Sequence, residues 1–155
     1  MKLLLVSDSH GSNAYLTKLI EQMQQEGGLD AVLHAGDGAA DADLLNVIAP
    51  VHKVRGNCDP HLRYVAQEQT LRFGLSVIYL SHGNLHRVKR TLDLLAAAAG
   101  DAGAGIAVYG HTHRQQIDLM DRIYLVNPGA LFVGEYALLH LQQDGTPRVE
   151  FRNLV

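Results

Sequence analysis

Short apolar runs alternate with glycine-punctuated polar loops along this chain, and over the first sixty residues the alternation is regular. Residues 2–7 form an apolar run of strand length that gives way to Asp8-Ser9-His10-Gly11. Leu16, Leu19, Ile20 and Met23 then recur at i, i+3, i+4 and i+7, one face of a helix, with Ser12 or Asn13 placed to cap it and Gly27-Gly28 to stop it. A second strand, residues 31–35, runs into Gly36-Asp37-Gly38. The pattern predicts a second helix over residues 41–49 that buries Leu44, Leu45 and Ile48 and stops at Pro50. A third strand, residues 51–55, ends at Gly56-Asn57-Cys58-Asp59-Pro60. Strand–helix–strand–helix–strand predicts a parallel sheet with right-handed crossovers.

Beyond residue 60 the pattern changes. Residues 70–73 and 75–81 read as strands around Gly74, the second ending at His82-Gly83. Val88, Leu92, Leu95, Ala96 and Ala99 mark one face of a third helix closed by Gly100. Residues 106–109 form a buried strand that delivers Gly110-His111-Thr112-His113. Further strands are expected near residues 115–118, 123–126, 136–141 and 148–152, the last two separated by the turn signal Asp144-Gly145-Thr146-Pro147. About ten strands and three helices suit two stacked sheets with helices outside, as one domain over residues 1–155 with no cap domain, linker or repeat.

Five of these strands end alike. Their loops carry Asp8 with His10, Asp37, Asn57, His82, and His111 with His113, each beside a glycine. Carboxyl ends of strands in an open α/β sheet form the ligand crevice, so these residues should gather on one rim. Taken singly each has a plain reading: Asp37 as a turn residue, Gly56-Asn57 as a turn, Asp8 as a helix cap, His82 as a loop histidine. Independent turns, however, have no reason to recur at five strand ends. Seven nitrogen and oxygen donors are too many for one first-row metal, and sharing one carboxylate makes two sites of four ligands each. Two metals roughly 3.5–4 Å apart can hold a phosphoryl oxygen and a bridging hydroxide. Mixed imidazole and carboxylate donors suit manganese best among the expected ions, with nickel, zinc, iron or cobalt as alternatives.

Composition narrows the setting. The 155 residues are 47% hydrophobic and 19% charged, ordinary values for a globular chain. A net charge of -3 and a pI near 6.3 give no reason to expect capture of nucleic acid or of an anionic membrane. Cys58 is the only cysteine, which excludes an intrachain disulfide and a thiolate zinc cluster. MKLLLVSD reads as a first strand and not a signal peptide, and no run reaches transmembrane length, so a cytoplasmic location is expected. The sequence leaves a homo-oligomer open.

Asp8-Ser9-His10, Gly36-Asp37, Gly56-Asn57, His82 and Gly110 to His113, in that order, resemble the motifs of the calcineurin-like metallophosphoesterases. The likeness is closest to their small single-domain bacterial and archaeal phosphodiesterases, through SDSHG at Ser7 to Gly11, GNCD at Gly56 to Asp59 and NPG at Asn127 to Gly129. This resemblance covers nearly the whole chain. It implies the metallo-dependent phosphatase fold, a four-layer αββα sandwich with two facing mixed β-sheets. It also implies metal one on Asp8, His10, Asp37 and His113, and metal two on Asp37, Asn57, His82 and His111, with Asp37 bridging. Asp37, Asn57 and His82 are thereby also the expected catalytic residues.

Two positions depart from that pattern. Cys58 stands where many relatives carry the histidine thought to assist the leaving group, and Asn84 stands where GNCD relatives usually have the last histidine of HGH. Of the remaining histidines, His34, His52 and His140 lie in expected strands and read as packing residues, whereas His61 and His86 lie in loops near the motifs and could touch substrate. Arg87, Lys89 and Arg90 read as a solvated basic cluster at a helix start. The expected function is a dinuclear phosphodiesterase acting on a small-molecule phosphodiester. Its competitors are a phosphomonoesterase or nucleotidase with the same centre, and a protein-interaction scaffold on the same fold.

Overall fold

The computed structural model describes residues 1–155 and contains ten strands in two five-stranded sheets. In the first sheet the strands are β1 (Lys2–Val6), β2 (Ala31–His34), β3 (Val51–Lys53), β9 (Glu135–Leu141) and β10 (Pro147–Asn153), ordered β10-β9-β1-β2-β3. As the strand–helix alternation requires, β1, β2 and β3 run parallel, while β9 and β10 return antiparallel. The second sheet holds β4 (Glu68–Phe73), β5 (Ser76–Ser81), β6 (Ile106–Val108), β7 (Gln115–Met120) and β8 (Ile123–Pro128), ordered β4-β5-β6-β8-β7. Here β5, β6 and β8 are parallel and the edge strands antiparallel. Both sheets are thus mixed.

Central strands are apolar on both faces, because both faces are covered. Leu3 and Leu5 of β1 join Leu33, Leu80, Val108 and Val126 between the sheets. Leu4 and Val6 point the other way, against Leu16, Leu19 and Met23 of α1 (Asn13–Glu26). On the far side Ala107 and Leu125 pack against Leu95, Ala96 and Ala99 of α2 (Asp93–Asp101). The four layers are therefore helix, sheet, sheet and helix, as expected.

Two helical expectations need correction. Residues 41–49 do not form an α-helix: Asp41–Val47 is a 3₁₀ helix. Three residues per turn put Ala42, Leu45 and Ile48 on one face, so Leu45 is buried and Ile48 half-buried, whereas Leu44 is 53% exposed. The third helix keeps its expected apolar face but begins only at Asp93; Val88 and Leu92 lie in the turns before it, and Gly100 lies inside it.

The ends of the parallel strands meet at one rim and are stitched there across the two sheets. The Asp8 amide donates to Gly36 O (2.9 Å) and the Gly110 amide to His82 O (3.0 Å) within sheets. Leu131 and Phe132, after β8, donate their amides to Ser7 O and Asp8 O (2.9 and 3.1 Å) and so tie the second sheet to the first. At Gly110 there is no room for a side chain between the two sheets. A Cβ on Gly110 would meet Ser7 Oγ, and Asp8 Oδ2 at 2.7 Å.

Candidate metal centre

The six aspartate and histidine residues among the seven expected donors converge at this rim. Asp8, His10 and His113 bring ligand atoms within 4.8 Å of one another, and so do Asp37, His82 and His111. Asp8 Oδ1 lies 3.0 Å from His113 Nε2 and 3.6 Å from His10 Nε2. Asp37 Oδ2 lies 3.8 Å from His10 Nε2 and 3.3 Å from His82 Nε2. One carboxylate oxygen therefore stands between the two clusters. Asn57 sits at the exposed edge of the loop after β3, and its side-chain amide donates to Cys58 Sγ (3.5 Å).

Local backbone aims these side chains. Asp8, His10, Asp37, His111 and His113 all have left-handed φ, between 46° and 71°. That conformation is uncommon for residues with a Cβ and concentrates at functional sites. Beside Asp37, Gly36 has φ 93°, and a Cβ there would lie 2.7 Å from the Gly56 amide nitrogen. Only glycine lets the two loops pass so closely.

Hydrogen bonds set the protonation pattern. His82 Nδ1 donates to Ala35 O (2.7 Å), so in the neutral ring the buried Nε2 carries the lone pair; this nitrogen faces the cluster, 3.3 Å from Asp37 Oδ2, without a hydrogen bond of good geometry. A buried acceptor without a donor, with the other ring nitrogen fixed by a carbonyl, is the arrangement of a metal-ligating imidazole. Burial pushes the His82 pKa down, but the carboxylates of Asp37 and Asp8 outweigh it, leaving the pKa above its ordinary value. For Asp37 burial pushes upward, yet His82 and the Cys58 amide (2.8 Å to Oδ1) hold the carboxyl well below the usual range. The pocket is thus a field of negative charge that favours cations. A divalent ion fits it better than a proton, because several lone pairs converge there.

Three residues that the sequence left outside the site hold its loops. Asp59, 4% exposed, accepts the amides of Asp37 (2.9 Å), Gly38 (3.0 Å), Ala39 (3.3 Å) and Gly56 (2.8 Å). His34, expected only to pack, is fully buried and accepts the Gly36 amide at Nδ1 (3.1 Å). Its Nε2 therefore donates to Ser9 Oγ (3.2 Å), which in turn donates to Asp41 Oδ2 (2.9 Å). Burial lowers the His34 pKa to about 4, so this ring is neutral at physiological pH. Asn127 of the NPG stretch, fully buried, donates to Gly110 O and to Thr112 Oγ1 (both 3.0 Å) and so braces the GHTH loop from below.

Other residues reach the donors themselves. Phe132 packs edge-on to His10 and His113, with centroids 5.6 and 5.1 Å away, and forms an apolar wall on that side. Cys58 Sγ joins His10 and Asp37 in a third convergent group, although burial and the Asp37 carboxylate push its pKa up and keep it a thiol. By contrast His86 is held away from the cluster, by Tyr79, Ser81 and Glu68 (3.1–3.3 Å). His61 is exposed in its loop.

The model of the calcineurin-like phosphoesterase superfamily domain matches residues 1–144. Phosphodiesterase YfcE of Escherichia coli K12 is 31% identical, over 86% of this chain and 80% of that protein. Among solved structures, a conserved Streptococcus pneumoniae protein described as a "predicted phosphoesterase" superposes with a TM-score of 0.83 at 26% identity, covering 99% of this chain and 89% of that one. Vps29 of Entamoeba histolytica, complexed with zinc, superposes with a TM-score of 0.71 at 22% identity over the whole of both chains, a likeness of fold.

Proposed function

Because this chain belongs to the calcineurin-like phosphoesterase superfamily and is a metal-dependent phosphoesterase, we propose that it is a dinuclear phosphodiesterase built as a single domain over residues 1–155. Asp8, His10, Asp37 and His113 hold one ion, and Asp37, Asn57, His82 and His111 hold the other. The observation that carries this reading is the position of Asp37 Oδ2, within 4 Å of His10 Nε2 on one side and His82 Nε2 on the other. Two divalent ions bound there supply positive charge for a phosphoryl group and acidify water. Nitrogen and oxygen donors beside a protonated thiol favour manganese, with iron, zinc, nickel and cobalt as alternatives.

The chain's own residues do the rest. Asp8 and Asp37 set the charge of the cradle, and their fixed backbone removes the need to reorganise around the substrate. His82 is kept in one tautomer by Ala35 O, so its free nitrogen always faces inward. Phe132 offers an apolar surface for the organic part of a diester.

The purified protein tests this directly. It is expected to retain two metals per chain and to hydrolyse aryl phosphodiesters faster than the matching monoesters. Faster monoester hydrolysis would make the centre a phosphomonoesterase or nucleotidase. A fully metallated protein with no activity would make it a scaffold.

Cys58 yields a further expectation. A general acid contributes about 10²–10⁴-fold when a poor leaving group must be protonated, and almost nothing for a stable anion. The Cys58 thiol is a weak hydrogen-bond donor, and its raised pKa makes it a weaker acid still. Rates should therefore fall steeply with leaving-group pKa, fast for nitrophenyl and slow for alkyl diesters, with Cys58→Ala changing the nitrophenyl rate little. A leaving-group series on wild type and variant checks this. A shallow series would mean that another residue delivers the proton, and His61 is the exposed candidate.

A further inference from the structure

Beside the centre lies a cleft of about 430 Å³ lined by Val88, Lys89, Thr112, Arg114 and Gln116. Thr112 separates His111 from His113, and Arg114 follows His113 directly, so this cleft adjoins the donors of the GHTH loop. Its charge is unbalanced. Three basic side chains of the fold have carboxylate partners, Lys2 and Arg152 on Glu26 and Lys53 on Asp43; what sets this cleft apart is that two unpaired cations line the same space. Lys89 and Arg114 are exposed and have no carboxylate within 4.0 Å. The nearest acid along the lining strand, Asp118, is engaged by Gln116 Nε2 at 2.7 Å.

The third donor is less obvious. Thr112 Oγ1 accepts from Asn127 Nδ2, so its own hydroxyl proton is free to donate. An ammonium, a guanidinium and a hydroxyl around one cleft, in a chain of net charge -3, make a local and specific attraction for an oxyanion. Two positive charges match a phosphate monoester, which carries about -1.5 to -2 at neutral pH, better than a carboxylate. The volume falls within the ordinary range of ligand sites and exceeds what a lone phosphate fills.

We propose that this cleft is a phosphate-binding subsite, so that the substrate is a phosphodiester bearing a second, uncleaved phosphate. This rests on the phosphodiesterase reading above. Val88, buried under the cleft, packs on Gly83 next to His82, so the subsite floor and the centre share one wall.

The test uses a matched pair, the p-nitrophenyl ester of thymidine 5′-phosphate with and without a 3′-phosphate. With the metal-loaded protein, the 3′-phosphate should raise kcat/KM by roughly tenfold, the worth of one charge-assisted contact. Lys89→Ala/Arg114→Ala should abolish that gain while leaving the plain ester within about twofold of wild type. Binding gives a second readout without catalysis. In chelator-treated protein, thymidine 3′,5′-bisphosphate should shift the amide resonances of Thr112, Arg114 and Gln116, and the double variant should lose those shifts. If the plain ester is hydrolysed but the 3′-phosphate brings neither gain nor shift, the subsite is wrong and the phosphodiesterase reading stands. If neither ester is hydrolysed, that reading fails, and the amide shifts alone decide the subsite. A gain that survives in the double variant overturns the assignment.

Discussion

Asp37→Asn is expected to lower phosphodiesterase activity by about 10³-fold or more and to empty both metal positions. Removing one preorganised electrostatic contributor from an active site typically lowers kcat by about 10²–10³-fold. Asp37 acts toward both clusters, with one oxygen between His10 and His82 and the other held by the Cys58 amide. Asparagine keeps the shape and an acceptor oxygen for that amide, so the loop should persist while one of only two carboxylates at the centre loses its charge. Elemental analysis and diester kinetics, run beside His82→Ala, check the assignment. If Asp37→Asn retained two metals while His82→Ala lost both, Asp37 would not be the bridge.

Asp59→Ala should be the most destabilising substitution at the site. Four backbone amides from two loops donate to this carboxylate, and each buried donor left without a partner costs about 1–3 kcal/mol. A loss of about 3–5 kcal/mol follows even if water reaches some of them, a large share of a total stability of about 5–15 kcal/mol. Asp59→Asn retains one carbonyl oxygen and should fall between wild type and alanine. Urea unfolding in the presence of chelator isolates this effect from metal binding. An Asp59→Ala protein within about 1 kcal/mol of wild type would show that the loops hold without it. Metal affinity should fall as well, because the same amides position Asp37.

Much of the rim was legible in the chain because strand ends are local events. An apolar run stopping at glycine is visible without knowing what lies beside it, and Asp8, Asp37, His82 and His111 all occupy such stops. Parallel order in the first sheet followed from the intervening helical spacing. What could not be read was which loop leans on which. Asp59 appeared only as part of GNCD, yet its work is to hold a loop twenty residues earlier. Phe132 had no motif at all and meets His10 only through a contact between sheets. Lys89 and Arg114 share a cleft because β5 and β6 are adjacent, so the basic cluster alone read as a solvated face. The 3₁₀ helix is not legible in the sequence, because Leu44, Leu45 and Ile48 fit a 3.6-residue period as well as the apolar set Ala42, Leu45 and Ile48 fits a period of three.

The left-handed backbone of the centre bears on how this protein ages under mutation. Asp8, His10, Asp37, His111 and His113 each occupy a conformation about 1–2 kcal/mol less favourable for residues with a Cβ. Glycine at any of them would relax the backbone and remove a donor in the same step. Robustness and reactivity therefore pull in opposite directions at five positions. A lineage that kept the fold only as a platform for other proteins would gain stability by surrendering these side chains. Their joint presence here puts the strain where the donors are, so that the backbone cost and the chemistry fall on the same five residues.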